Sequence, residues 1–344
     1  MSPWRGLEGE PASAYFGAWI ESHIRPNRAR NTARMYEQIV RLHIEPLLGE
    51  TPLRDITTAD IEAVIVHQAE SGAGRGTVDL TLKTLVSALE HAVRLGLLER
   101  NVARGVRVPR MAKPRPVVLQ EQEAAALIVQ GPKASWYGNA FALALLTGMR
   151  AGELRGLRWR SVRLERARAE IDVVEQQIDM PRKLPGGEPS LEPLKSVASA
   201  RTLHLGAAGA AILTDQRQRL GRHAAERSAA GKPWHGYGLV FPAKDGGVTS
   251  RGALNVTLRG VCEVLGLPRV TVHGLRHTHA TLLRLSGSDL VDIQHQLGHR
   301  NLKTTTDQYL HPTISSRERT GELAERAIFG RKDEADARGR TGEL

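Results

Sequence analysis

The side chains best equipped for chemistry lie between Thr271 and Tyr309. His273 and Arg276 form an H-x-x-R pair, His299 follows a glycine, and Tyr309 stands ten positions further on. Cationic groups, imidazoles and a phenol on one stretch suit chemistry on a phosphate. A guanidinium can hold its oxygens, an imidazole can move a proton and a phenol can attack. Each residue also has an ordinary role: a His-Arg pair is usually surface, His299 can satisfy a carbonyl, and Tyr309 can be a half-buried core residue.

The same stretch raises the alternative of a metal site. His273 and His277 are spaced i, i+4, as are His295 and His299, with His279 between the pairs. Neither pair forms H-E-x-x-H, and Arg276 inside the first would repel a cation, so no metal is expected.

These residues need elements to position them. His273 and Arg276 share a face at a helix start. Ser288 or Asp289 can cap a following helix with Leu290, Ile293 and Leu297 on its buried face. Gly298 is a left-handed stop, which places His299 just past a helix end. Further upstream, T-G-M-R-A-G-E-L is a glycine break followed by Arg150 at the start of a short helix that carries Glu153, Leu154 and Leu157. Residues 168–178 alternate as a strand, Met180 to Pro193 is a Pro/Gly-rich loop, and Arg201 to Leu205 is the returning strand. Helices are expected at 120–129, 136–146, 207–228 and 250–265, with Leu239–Phe241 as an apolar strand.

The first hundred residues read as all-helical. Tyr15, Phe16, Trp19 and Ile20 share a face, and that helix should end before Pro26. Thr32 can cap a second helix. Thr58 can cap a third, with Ile61, Val64, Ile65 and Gln68 inward. Residues 71–76 (S-G-A-G-R-G) make a loop, and Val78, Leu82, Leu85, Leu89 and Val93 define an amphipathic helix that Gly96 stops. Prolines at 109, 114 and 116 then forbid a helix. Arg104, Arg107, Arg110, Lys113 and Arg115 line this stretch, which suits a linker lying along a phosphate backbone.

At 344 residues the chain is long for one domain. It carries 48 Lys and Arg against 37 Asp and Glu, a net +11, with a pI near 10.2. That balance favours a nucleic-acid partner. The single cysteine, Cys262, excludes a disulfide framework and fits a small core residue in a reducing compartment. No apolar run suggests a signal peptide or a membrane span, so a cytoplasmic protein, nucleoid-associated when bound, is expected.

Taken together, Arg150, Lys195, His273, Arg276, His299 and Tyr309 resemble the active-site set of the tyrosine recombinase (phage integrase) family. The local contexts match too: T-G-M-R-A-G-E-L, P-L-K-S-V-A-S-A-R-T-L, H-G-L-R-H-T-H-A-T and L-G-H-R-N-L-K-T-T-T-D-Q-Y. The resemblance implies a mainly α fold with a small antiparallel sheet in the catalytic domain, two domains closing on DNA as a C-shaped clamp. It divides the chain into an N-terminal extension (1–10), a helical, SAM-like core-DNA-binding domain (11–105), a basic linker (106–116), a catalytic domain (117–329) and a disordered charged tail (330–344).

The implied activity is site-specific DNA strand exchange through a 3′-phosphotyrosyl intermediate, with no cofactor and no ATP, to integrate or excise a mobile element. Tyr309 is then the nucleophile and His273 manages its proton. Arg150, Arg276 and His299 hold the phosphate oxygens, Lys195 protonates the departing 5′-oxygen (with Lys183 as a competing candidate) and Glu153 plays a supporting role. The implied partners are double-stranded DNA with specific sites, further copies forming a tetramer on DNA, and an accessory or excision protein. A separate arm-binding domain of the kind many integrases carry is not expected in the few residues before the first helix. A type IB topoisomerase shares the catalytic set and is one alternative. A non-catalytic DNA-binding regulator is another, although simple binding does not require these six residues.

Overall fold

The computed structural model describes residues 4, 6–112, 116–178, 189–194 and 199–298. Lys113, Arg115, Lys195, His299 and Tyr309 lie outside the described residues, as do Lys183 and the expected tail (330–344). The chain divides into two compact units, Met1–Arg115 and Pro116–Leu344. The architecture is mainly helical with small antiparallel sheets, as expected.

In the first unit, α1 (Ala12–Trp19) runs into a π-turn (Ile20–Ile24) and then α2 (Arg25–Asn27). Next, α3 (Arg30–Ile39) runs into a second π-turn (Val40–Ile44) and then α4 (Glu45–Leu48). The expected stop before Pro26 is therefore not observed. The wide turn ahead of the proline explains why. The Arg25 N–H bonds five residues back to the Ile20 carbonyl, and Pro26, which has no N–H to place, enters after the register has shifted. Asn27 then donates to the His23 carbonyl at 2.9 Å. The second turn repeats the device, with Glu45 N–H on Val40 O ahead of Pro46. The two stretches, I-E-S-H-I-R-P and V-R-L-H-I-E-P, share one pattern.

Two caps also differ from expectation. The second helix starts at Arg30, with Ala29 rather than Thr32 as its N-cap. Thr57, not Thr58, caps α5 (Thr58–Glu70) through a reciprocal capping box with Asp60. Thr58 instead donates to the Val102 carbonyl at 3.0 Å. Ile61, Val64, Ile65 and Gln68 are buried as expected. The following helix, α6 (Arg75–Arg94), buries Val78, Leu85 and Leu89, with Leu82 and Val93 only half-buried. Trp4 and Leu7, from the expected N-terminal extension, pack against this core, as do Val108 and Met111 from the expected linker.

The second unit is built round α8 (Gly138–Thr147), whose sequence GNAFALALLT is buried at every position except Leu146. Against it pack α7 (Glu121–Ala134), α9 (Ala151–Gly156), α10 (Ala207–Ala229), α11 (Arg251–Val264) and α12 (Val272–Leu285), which α13 (Leu290–Leu297) follows. Strands β1 (Val162–Leu164), β2 (Ala169–Val173) and β5 (Arg201–Leu205) form an antiparallel sheet in the order β1-β2-β5. Its inner face of Ala169, Ile171, Val173, Leu203 and Leu205 joins the core. The expected single strand at 168–178 breaks at exposed Val174. Its second half is β3 (Glu175–Gln177), which pairs with β4 (Leu191–Pro193) in a separate two-stranded sheet. Leu239–Phe241 is buried but is not a strand: Val240 N–H bonds the Leu157 carbonyl at 2.8 Å and only an isolated bridge, Arg158 to Leu239, forms. Cys262 is fully buried.

Candidate active site

Two glycine stops bring the site together. Gly148 ends α8 in the left-handed conformation (φ 66°), and a Cβ there would lie 2.7 Å from both the His279 ring and the Leu297 side chain. The chain turns tightly there and Arg150 caps α9. Glu153 answers with a carboxylate oxygen on the Arg150 N–H at 2.9 Å and on its Nη1 at 2.8 Å. Gly298 ends α13 in the same conformation (φ 62°). Asp289 starts that helix by accepting from Val291 N–H, and Ile293 and Leu297 are buried, with Leu290 half-buried.

Arg150 and Arg276 meet at this helix end. Arg150 Nη2 donates to the Gly298 carbonyl at 3.0 Å. Arg276, 1% exposed, donates to the Gly148 carbonyl from Nη1 and to the Leu297 carbonyl from Nη2, both at 2.7 Å. The structure thus unites two arginines 126 positions apart in sequence.

His273 stands at the second position of α12. Thr271 caps that helix by accepting from Gly274 N–H at 3.0 Å, and Asn255 Oδ1 accepts from Val272 N–H at 3.0 Å. The ring packs edge-on against His277, with centroids 4.6 Å apart. Lost hydration, then the charges of His277, Arg276, Arg150 and Arg251, push its pKa down to about 4. Without an anion nearby, this imidazole is a neutral base.

Glu153 has a fully buried side chain. Burial alone would raise its pKa, but Arg201 and Arg150 more than reverse this and hold the carboxyl below its usual range. Glu153 has a further partner that sequence reasoning did not single out. Arg201, at the start of β5, donates to Glu153 Oε2 at 2.9 Å and Oε1 at 3.3 Å. Its residue type was visible in P-L-K-S-V-A-S-A-R-T-L, but nothing local signals that this arginine turns inward. Arg251, whose charge acts on His273, was likewise not singled out.

His279 turns inward, its Nδ1 2.9 Å from the Leu145 carbonyl, and burial pushes its pKa down to about 4. Among the described residues, no three His, Cys, Asp or Glu side chains are grouped to hold a metal ion. Of the linker cations, Arg104 pairs with Glu90 at 2.8 Å, while Arg107 and Arg110 are exposed. Among the described residues no helix is long and apolar enough to cross a membrane.

Comparison with known proteins gives the family. Residues 118–315 match the model of the phage integrase family, and residues 13–67 match the phage integrase N-terminal SAM-like domain. A tyrosine recombinase XerC of Mycobacterium sp. (strain JLS) is 28% identical over 299 residues, covering 84% of this chain and 90% of that protein. Among solved structures, the Tn1549 transposon integrase in complex with a circular intermediate DNA superposes with a TM-score of 0.72 at 20% identity, covering 92% of this chain and 99% of that one. A lambda integrase tetramer bound to a Holliday junction gives 0.63 at 20% identity, covering 89% and 80%. The family match, which spans more than half of the chain, defines the class: enzymes that transfer DNA strands. The chain belongs to the phage integrase family, the tyrosine recombinases, and is a site-specific recombinase that cleaves and rejoins DNA.

Proposed function

We propose that this recombinase integrates or excises a mobile element, with Tyr309 as nucleophile. Its phenolic oxygen bonds to the scissile phosphorus as the P–O5′ bond breaks, leaving a 3′-phosphotyrosyl link and a free 5′-hydroxyl. The 5′-hydroxyl of a partner strand reverses the step, so one phosphodiester replaces another and no ATP is consumed. A phenol has a pKa near 10 and needs a base. His273, whose pKa is lowered first by burial and then by the charges round it, accepts that proton. Arg150 presents its guanidinium to the non-bridging oxygens, Arg276 adds the second N–H that each Nη carries beyond the carbonyl it holds, and His299 adds a donor. Lys195 protonates the departing 5′-oxygen.

The observation that carries this reading is the meeting of Arg150 and Arg276 on adjacent carbonyls, Gly298 and Leu297, with His273 one turn before Arg276. The chain from Gly298 runs directly into His299 and on to Tyr309. The first unit is assigned as the core-DNA-binding domain and the second, to about residue 329, as the catalytic domain. Exposed Arg107 and Arg110, with Lys113 and Arg115, are assigned to the DNA backbone. Arg104 is the weakest member of that set, because Glu90 already holds it. The DNA complexes of the Tn1549 and lambda integrases support assigning this chain to a tetramer on double-stranded DNA with specific sites. An accessory or excision protein as partner and a cytoplasmic setting are further assignments that follow from the family resemblance alone.

The test uses duplexes spanning the ends of the element that flanks the gene. Wild type should yield a covalent protein–DNA adduct on them, and Tyr309→Phe should bind the same DNA without forming it. An adduct from Tyr309→Phe refutes the nucleophile. Efficient relaxation of supercoiled DNA that lacks such ends would favour a topoisomerase instead.

A further inference from the structure

The last turn of α13 offers three consecutive carbonyls, and a different arginine takes each one. Gln296 accepts from Arg201 Nε at 2.8 Å, Leu297 from Arg276 Nη2 at 2.7 Å, and Gly298 from Arg150 Nη2 at 3.0 Å. The last carbonyls of a helix lack intrahelical partners and carry the negative end of its dipole. Three guanidiniums are therefore electrostatically matched to this end.

The arginines are not equivalent. The Arg150 side chain is 35% exposed and can still present a face to an anion. Arg201 is only 8% exposed, and all three of its nitrogens already donate to the protein. Nε holds Gln296 O, Nη1 holds Ser199 O at 3.1 Å and Glu153 Oε1 at 3.3 Å, and Nη2 holds Glu153 Oε2 at 2.9 Å. Its backbone is fixed in turn by the sheet, where Arg201 sits opposite Val173. A Cβ on residue 298 would lie 2.9 Å from Arg201 Nη1, so the glycine there lets the guanidinium seat against the helix end.

We infer that Arg201 is a positioning residue for strand cleavage: it ties the Glu153 carboxylate to the end of α13 and thereby sets where the Arg150 guanidinium stands. The inference rests on the assignment of Arg150 to the scissile phosphate. Glu153 uses both carboxylate oxygens on the two arginines at once. Removing Arg201 frees the carboxylate to rotate, and the Arg150 fork rotates with it. Lysine cannot replace Arg201, because one ammonium on a flexible stem cannot span Glu153, Ser199 O and Gln296 O in a planar fork.

The experiment compares wild type, Arg201→Lys, Arg201→Met and Arg150→Ala. Binding, melting temperature and single-turnover adduct formation are measured on the duplex described above. Each protein is assayed with the natural phosphate and with a neutral methylphosphonate at the scissile position. Arg201→Lys should bind DNA like wild type and form adduct roughly 100-fold more slowly on the natural phosphate, the loss expected for a misplaced catalytic group. On methylphosphonate, which lacks the charge that Arg150 stabilises, that deficit should largely vanish. An equal deficit on both substrates, or a wild-type rate on the natural one, overturns the inference. So does a melting loss in Arg201→Lys large enough to abolish binding, since that marks a purely structural role. If Arg201→Met fails to fold, Arg201→Lys alone decides. An unimpaired Arg150→Ala would instead refute the phosphate assignment and leave a distinct signature.

Discussion

The two units bury polar groups in different ways. Among the described residues the first unit buries no Asp, Glu, Lys or Arg, and its buried polar side chains are Gln68, Thr81, Thr84 and His91. The two threonines satisfy themselves on the Thr77 and Leu80 carbonyls one turn back. The second unit buries Glu153, Arg155 and Arg276. Taking an ion out of water costs several kcal/mol unless partners surround it. Each of these ions is surrounded. Arg155, for instance, donates to the Ala151, Thr249 and Gln177 carbonyls and so ties α9 to β3 and to the segment ahead of α11. The first core is a matter of shape, and the second also stores oriented charge. That charge is concentrated where a phosphate is proposed to react.

Arg276→Ala should break this comparison most severely. It removes a guanidinium proposed to face the phosphate and leaves the Gly148 and Leu297 carbonyls without their donor. Adduct formation should fall by about 100- to 1,000-fold, the loss seen when one preorganised donor to a developing oxyanion is deleted. A rate near that of wild type would show that Arg276 serves folding alone.

Glu153→Ala should come next, and it tests the stability side. The substitution strips the carboxylate from two arginines, one of them buried, and breaking a buried ion pair costs about 3–5 kcal/mol. The melting temperature of the whole chain reports it. The contrasting variant is Glu21→Ala in the first unit, where the pair with Arg25 is solvent-exposed and should hardly move the melt. Equal losses for both would remove the distinction between the units.

Much of this arrangement was legible in the sequence, because the signals are local. Gly148 and Gly298 announce helix ends, Ser288-Asp289 announces a start, and Ile61, Val64, Ile65 and Gln68 fall on one face by spacing alone. What was not legible depends on longer-range or alternative backbone geometry. Pro26 reads as a stop because a proline normally clashes one turn back. Only a five-residue hydrogen-bonded turn at Ile20–Ile24 removes the conflict, and apolar periodicity does not reveal it. Leu239–Phe241 has the composition of a strand but finds a single backbone partner at Leu157 rather than a ladder. Arg201 looks like any basic residue at a strand edge. Its burial follows from Glu153, 48 positions earlier, and Gln296, 95 positions later. Thr57 and Thr58 differ by one residue, and only the reach of Asp60 decides between them.

The smallest effect expected concerns His91, which among the described residues is the buried imidazole of the first unit. His91 sits 3.1 Å from the Tyr15 hydroxyl, which itself donates to the Ala88 carbonyl at 2.6 Å, with the Trp4 ring edge-on at 4.9 Å and the His23 ring at 4.1 Å. Burial, then the charges of His23 and Arg94, push its pKa down to about 4. In the unfolded chain the imidazole titrates near 6.5. Below that pH the unfolded state takes up a proton that folded His91 refuses, until about pH 4 is reached. Its contribution to stability is therefore fully present above about pH 6.5 and is lost as the pH falls toward 4. His23 is lowered as well and acts in the same direction. Amide exchange in α6, corrected for the intrinsic rate, should show protection declining across that window. His91→Gln keeps a donor beside Tyr15 and should flatten the α6 profile. In α12, where His277 and His279 are also lowered, the profile should persist. An unchanged α6 profile in His91→Gln would mean that the acid sensitivity of the first unit lies elsewhere, and that its core is as free of titratable burial as its arginines and carboxylates suggest.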